Sequence, residues 1–279
     1  MYFILNLITA AVATFCTVYF NNLITEPYKI YVIFVYFIAF LALAILLTFF
    51  LFFLFGFSFK FKTDFVEKDN KFYRVIMDYA FQYFAFMCRI KIHFPDKKEL
   101  PKDRRFILIC NHRSNFDPMV ISSSLVGYQL SWIAKRSIFK VPGINKYMHK
   151  CCYMPIDRDD IRQSISVIKQ ASKYINEDIC SVGVFPEGHR NKTDDLLLEL
   201  KPGVLKIAFM TKAPIYVITA INTDTVRKNF PLKRTHVYIN LAAKLEYEDY
   251  KDLKTVGLTQ KVEQIMRESL TKQYSEHKK

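Results

Sequence analysis

Phe106-Ile107-Leu108-Ile109-Cys110-Asn111-His112-Arg113-Ser114-Asn115-Phe116-Asp117-Pro118 passes from five consecutive apolar residues into a polar loop that ends on an aspartate and a proline. A short unbroken apolar run is the pattern of a strand covered on both faces, as in a parallel sheet; a half-exposed strand would alternate. Asp117-Pro118 reads as a helix start, with a carboxylate in the capping region and proline at the first helical position. The polar residues between them lie at the carboxyl end of the strand, where open α/β sheets hold their ligands.

The alternation of strand and helix continues outward from this stretch. Upstream, residues 70–87 carry Phe72, Tyr73, Ile76, Tyr79, Ala80, Tyr83, Phe84 and Met87 at helical spacing, with Phe81 and Phe86 off that stripe. Such a helix suits a bilayer surface or a core equally well. Residues 89–94 alternate like a half-buried strand. Downstream we expect a helix over 119–126, a strand over 130–134, a basic helical stretch over 135–150 and a helix over 159–176. Further on we expect a strand over 181–185, a helix over 202–211, strands over 215–220 and 236–245, and an amphipathic helix over 259–274. The expected fold is α/β: a mixed, largely parallel sheet flanked by helices.

A hydrophobic helical membrane anchor precedes it. Between residues 1 and 59 the only charged side chains are Glu26 and Lys29. The apolar run 2–20 just reaches the ~20 helical residues that cross a ~30 Å hydrocarbon core, and the run 30–59 exceeds it. No Lys or Arg precedes the first run and no small-residue cleavage site follows it cleanly, so an anchor is expected rather than a cleaved signal peptide. We therefore divide the chain into a membrane-anchoring helical hairpin, residues 1–62, and a second domain, residues 63–279. Lys60, Lys62, Lys68, Lys71 and Arg74 follow the second run, which by the positive-inside tendency places that domain on the cytoplasmic face.

The formal net charge of +14 over 279 residues lies wholly beyond the apolar region. Next to an anchor, such an excess fits anionic lipid headgroups or anionic substrates, or serves as a solubilising face. No zinc finger, helix-turn-helix or RNA-binding aromatic motif accompanies it, so nucleic acid is not expected as a partner. The six cysteines show no C-x-x-C spacing and no paired framework, which points to packing in a reducing compartment.

The chemistry concentrates in two blocks. His112 with Asp117 five residues on can form a dyad: the carboxylate bonds one ring nitrogen and leaves the other to take a proton from a substrate hydroxyl. Asp117 as a plain helix cap explains the same residues, and His189 and Asp194 repeat the spacing. The second block is Phe185-Pro186-Glu187-Gly188-His189-Arg190, a strand end, a stiff turn, a glycine that lets backbone approach a ligand, and a cation suited to phosphate. A plain turn with a surface ion pair is the alternative. Arg158 and Lys201 add cations, each ordinary if taken alone.

The order of these blocks resembles the membrane-bound glycerolipid acyltransferase family, over roughly residues 106–218. The pieces are Asn111-His112 with Asp117, Lys135-Arg136-Ser137-Ile138-Phe139-Lys140-Val141-Pro142-Gly143, Ile156-Asp157-Arg158, Phe185-Pro186-Glu187-Gly188 with Arg190, and Ala213-Pro214-Ile215. The resemblance implies His112 as general base and Asp117 as its orienter, with Arg158, Glu187, Gly188, Arg190 and Lys201 shaping a glycerol-phosphate site. It further implies an acyl-CoA or acyl carrier protein donor, a lysophospholipid acceptor, a membrane bilayer as the setting, and no metal or cofactor. Amides near Gly188 or an adjacent cation would face the developing oxyanion. The chain departs from the family pattern at His189, usually threonine, at Asn191, usually serine, and at Val217, usually a second proline.

The function expected is acyl transfer from a thioester to 1-acyl-sn-glycerol-3-phosphate, giving phosphatidic acid. The alternatives are the same chemistry on glycerol-3-phosphate or another lysophospholipid, and a non-enzymatic membrane-tethered lipid-binding protein. A metal-dependent hydrolase built on His112, Asp117 and His189 is a third, disfavoured by the lack of a compact His-rich motif.

Overall fold

In the computed structural model of the chain, residues 2–20, 30–57, 64–157 and 160–277 are described. The chain forms two compact units, Met1–Phe59 with Pro142–Lys146, and Lys60–Val141 with Tyr147–Lys279.

The first unit contains α1 (Tyr2–Phe20) and α2 (Ile30–Gly56). On α1, Asn6, Ala10, Thr14 and Val18 recur every four residues and are buried, so one narrow stripe of mostly small side chains faces inward. Thr48 of α2 donates its hydroxyl to Asn6 Oδ1 at 2.9 Å, and Thr9, Thr14 and Thr17 each donate to the carbonyl four residues back. Large apolar side chains such as Phe15, Phe34, Leu46 and Phe50 point outward. Among the described residues α2 alone is long and apolar enough to cross a membrane; α1 is a 19-residue helix over the whole apolar run 2–20.

The second unit is built on a seven-stranded sheet of order β1-β7-β6-β2-β5-β3-β4. Its strands are β1 (Ile90–His93), β2 (Ile107–Cys110), β3 (Leu130–Lys135), β4 (Met154–Ile156), β5 (Ser181–Val184), β6 (Ile215–Ile221) and β7 (Thr235–Leu245). Every neighbouring pair is parallel except β6 with β7, whose antiparallel register slips at Val217/Ile218. β2 is central and buried throughout, as its unbroken apolar run requires. The helices are α3 (Lys71–Met87), α4 (Asp117–Ser124), α5 (Asn145–Lys150), α6 (Ile161–Asn176), α7 (Lys206–Thr211), α8 (Val226–Asn229) and α9 (Thr255–His277). Ile107 and Ile109 of β2 pack with Val167 of α6, Ile207 of α7 and Met266 of α9 in one core. α3 packs on α4.

Two expectations are corrected and one strand is added. Residues 135–150 are two short pieces, a 3-10 turn Arg136–Lys140 and α5, because Val141-Pro142-Gly143 interrupts the helix with Gly143 at φ 82°. β4 is an edge strand hidden from pattern reading by its three-residue length and Pro155. On α3 the fully buried positions are Arg74, Met77, Tyr83 and Ala85, while Phe72 and Met87 of the expected stripe are exposed. Arg74 turns the face: its guanidinium reaches Asp69 at 3.0 Å, Leu130 O at 2.6 Å and Cys151 O at 2.6 Å. A buried cation is tolerable only with such a full set of partners. Arg74 therefore leaves the group of free basic residues behind the apolar run; Lys60 and Lys62 of that group lie outside the described residues. Four of the six cysteines, Cys110, Cys151, Cys152 and Cys180, are buried thiols.

Candidate active site

The carboxyl end of β2 is extended by a side chain. Asn111 donates its amide to Ala220 O at 2.9 Å and accepts from Ala220 N at 2.8 Å, so it pairs with β6 as a backbone residue would. His112 comes next, and its main chain is held on both sides. Its N–H donates to Glu187 Oε1 at 2.5 Å and its carbonyl accepts from Asn191 N at 2.6 Å.

The ring of His112 meets Asp117, with Nδ1 2.8 Å from Oδ2. Asp117 is the first residue of α4, yet its carboxylate turns back into the preceding loop, where Oδ2 also accepts from Arg113 N and Ser114 N, each at 2.8 Å. It caps the loop and the imidazole, not its own helix, which has no side-chain cap. The carboxylate is 1% exposed and the imidazole 13%. With Nδ1–H donating to a carboxylate, the lone pair of Nε2 is the one available to accept a proton.

An aromatic stack fixes the face of the imidazole. The ring of Phe185 lies 4.2 Å from that of His112 at 20°, and the indole of Trp132 lies 4.6 Å beyond at 9°. Trp132 Nε1 donates to Ser122 Oγ of α4 at 2.9 Å. Gly183, across from Trp132 on β5, makes room: a Cβ there would sit 2.6 Å from the indole. Sequence reasoning missed Trp132, the chain's single tryptophan. The available signal was a glycine inside a strand, which marks a close approach.

In the second block, Glu187 is 2% exposed, and its two oxygens accept from His112 N and from Leu198 N at 3.0 Å. Burial raises its carboxyl above the ordinary range, although the amides of Leu198 and His112 pull it down. The side chain placed in the acceptor site by resemblance thus gives one oxygen to the main chain of His112 and the other to that of Leu198. Burial also raises the thiol of Cys110, helped by the negative charges of Asp117 and Glu187. Gly188 has φ 72°, which glycine adopts freely, and its N–H closes the turn on Phe185 O at 3.0 Å. That amide is therefore not open to an oxyanion. Lys201 donates its N–H to Pro186 O at 2.8 Å and its Cγ lies beside Gly188, with Nζ 4.0 Å from Glu199. His189 and Arg190 are exposed at the tip of the turn. Asn191 at the serine position is buried and ties the loop down, bonding Asp195 O at 2.8 Å and Thr193 N at 2.9 Å. Arg158 lies outside the described residues. Among the described residues no group of three or more His, Cys, Asp or Glu side chains gathers as a metal site would require.

A buried carboxylate, an oriented imidazole and a turn carrying Arg190 and Lys201 form an arrangement that can take a proton from a hydroxyl beside an anion. A family model described as Acyltransferase matches residues 91–221, which include all of these groups. The 1-acyl-sn-glycerol-3-phosphate acyltransferase of Bacillus subtilis is 32% identical over 120 residues, 43% of this chain and 57% of that protein. Its namesake from Borreliella burgdorferi is 28% identical over 138 residues, 50% of this chain and 54% of that protein. The chain thus spans about half the length of these curated relatives. In fold it is similar to the crystal structure of the 1-acyl-sn-glycerophosphate (LPA) acyltransferase from Thermotoga maritima, with a TM-score of 0.56 and 20% identity over 71% of this chain and 79% of that one. The matched region is just under half of the chain, and over it the order of the blocks is similar to that of glycerolipid acyltransferases, while the sheet shares the fold of the Thermotoga maritima structure.

Proposed function

We propose that the chain transfers a fatty acyl group from an acyl thioester to the free hydroxyl of 1-acyl-sn-glycerol-3-phosphate, forming phosphatidic acid. The observation that carries this reading is the 2.8 Å bond between His112 Nδ1 and an Asp117 carboxylate already held by two loop amides. Nε2 of His112 takes the proton of the acceptor hydroxyl as its oxygen attacks the thioester carbonyl. The new C–O bond forms, the C–S bond breaks, and the proton passes from Nε2 to the departing thiolate. Asp117 stabilises the imidazolium in between. Arg190, Lys201 and Arg158 bind the phosphate of the acceptor, and a cation of this set faces the oxyanion, since the Gly188 amide is used by the turn. Glu187 acts through the His112 backbone.

The helical hairpin of residues 1–62 is the membrane anchor in this proposal, and residues 63–279 carry the reaction on the cytoplasmic face. The length and hydropathy of α2 support membrane association. A one-tailed acceptor and its donor then meet at the interface. The test uses the full chain in detergent micelles, with lysophosphatidic acid, glycerol-3-phosphate and a lysophospholipid of larger headgroup as acceptors, offered with acyl-CoA and with acyl carrier protein thioester. The product lipids are read by mass spectrometry. Phosphatidic acid is the expected product, and His112→Ala should lower its rate by about 10²- to 10⁴-fold, the usual worth of a general base. Wild-type turnover by that variant, or no acyl transfer to any acceptor, would overturn the reading.

A further inference from the structure

The connection between β6 and β7 lifts apolar side chains into solvent on a rigid frame. In Val226-Arg227-Lys228-Asn229-Phe230-Pro231-Leu232-Lys233-Arg234, Leu232 is 82% exposed and Phe230 is 50% exposed. The segment is well built: Val226 is buried, Phe230 N donates to Val226 O at 3.0 Å, and Lys233 N donates to Asn229 O at 2.7 Å. Arg89, just past α3, joins it to that helix. Its Nη1 donates to Leu232 O at 2.9 Å and its N–H to Phe86 O at 2.9 Å. Phe86, 53% exposed, and Met87 are the exposed apolar end of the helix that Arg89 ties to this connection. Arg227, Lys228, Lys233 and Arg234 flank it in the chain, all exposed and, among the described residues, in no ion pair; Asp224 is the acid of the same connection.

The patch stands at the reactive edge of the sheet. β6 runs parallel to β2 and its end is bonded to Asn111, so the segment that follows β6 emerges at the edge that carries His112. Phe84, near the end of α3, lies 5.3 Å from Phe116 in the loop between His112 and Asp117. Apolar tips flanked by cations are the composition of an element that enters the boundary between headgroups and acyl chains. A second copy of this chain would bring the same net charge of +14 against it, whereas an anionic leaflet is attracted.

We propose that Phe230, Leu232, Phe86 and Met87, with the cations around them, dock the reactive edge of the second unit on an anionic bilayer, as a membrane contact separate from α1 and α2. This contact does not depend on the acyl-transfer reading, because docking is read without turnover. The chain's one tryptophan, Trp132, is buried, so Leu232→Trp or Phe230→Trp adds a reporter of known position. The full-length variants are reconstituted in vesicles of phosphatidylcholine and phosphatidylglycerol with brominated acyl chains. We expect the added tryptophan to shift to the blue and be quenched by bromine, while Trp132 in the unsubstituted chain is not. Adding Lys228→Glu and Lys233→Glu should lower the docked-to-free ratio at least about 25-fold, since each cation near an anionic leaflet is worth about fivefold. Water-like, unquenched emission from both reporters would overturn the proposal. Equal quenching in purely zwitterionic vesicles would overturn the anionic partner, and a blue shift that follows protein concentration without lipid would replace the bilayer with a second copy.

Discussion

Gly183→Ala tests whether the stack on His112 positions the ring. The added methyl would lie 2.6 to 2.7 Å from three atoms of the Trp132 indole, about an ångström inside ordinary contact. The indole cannot retreat freely, because its Nε1 is bonded to Ser122 and its ring rests on Phe185. Overpacking of this kind costs about 1–3 kcal/mol. For a unit of this size that is a fall in melting temperature of roughly 2–12 °C. Phe185 transmits the shift to His112, and if His112 is the proposed base, an ångström of misplacement costs on the order of 10²-fold in rate. The assay is thermal and urea unfolding in detergent with acyl-transfer kinetics, for Gly183→Ala, Trp132→Leu and the pair. Trp132→Leu alone should cost about 2–5 kcal/mol as a cavity, but it removes the atoms that clash. The double variant should therefore be more stable than the sum of the two by at least about 1 kcal/mol. Additive effects, or a Gly183→Ala protein with native stability and turnover, would refute the reasoning.

Two other variants address the frame of the site. Glu187→Ala leaves the amides of His112 and Leu198 without acceptors, at about 1–3 kcal/mol each, and Glu187→Gln should lose roughly half as much because one oxygen remains. As a brace, Glu187 should affect kcat and leave acceptor KM unchanged; a raised KM with normal kcat would return it to the phosphate site. On the far edge, His93 Nε2 lies 3.1 Å from His236 Nδ1, a bond that needs one neutral ring. Burial lowers the pKa of His93 below 6.5, with Lys91, His236 and His277 adding to the effect. The folded state thus binds this proton less readily than the unfolded chain. Its stabilising part is complete above pH 6.5 and is lost as pH falls below it. Hydrogen exchange of β1 amides, corrected for intrinsic rates, should quicken between pH 7.5 and 5.5 in the native chain and less so in His236→Gln; identical changes in both would disprove the link.

The sheet was legible where burial alone dictates sequence. β2 sits between two layers and has no choice but an unbroken apolar run, and the strands around it follow the same rule. Legibility failed where a local signal was answered at long range. Arg74 reads as an outward charge because pattern analysis cannot see Asp69, Leu130 O and Cys151 O waiting for it, and its burial rotates the whole face of α3. Val141-Pro142-Gly143 lies inside the expected basic helical stretch 135–150, yet it separates a 3-10 turn from α5. In the site, five-residue spacing brought His112 and Asp117 together because both lie in one short loop. The contact of His112 with Phe185 and Trp132 crosses three strands, so only the register of β2, β5 and β3 could reveal it.

The two buried carboxylates show why residue type and spacing understate such a site. Asp117 and Glu187 both carry charge below the surface, and both serve the same histidine, but at different levels. Asp117 acts on the ring, taking Nδ1 and two loop amides on one oxygen, so any tilt of the imidazole breaks a bond that the loop cannot remake. Glu187 acts on the main chain, where its bond to His112 N and that of Asn191 N to His112 O leave little freedom in the peptide from which the ring projects. In the proposed reaction, an imidazole stacked on Phe185, tied at one edge and carried by a pinned backbone would need little further ordering when a hydroxyl arrives. On this account the invariant geometry to preserve is the backbone of His112. A substitution that spares both partners of the dyad but loosens residues 187–191 should then cost more in turnover than one that alters an exposed cation at the tip.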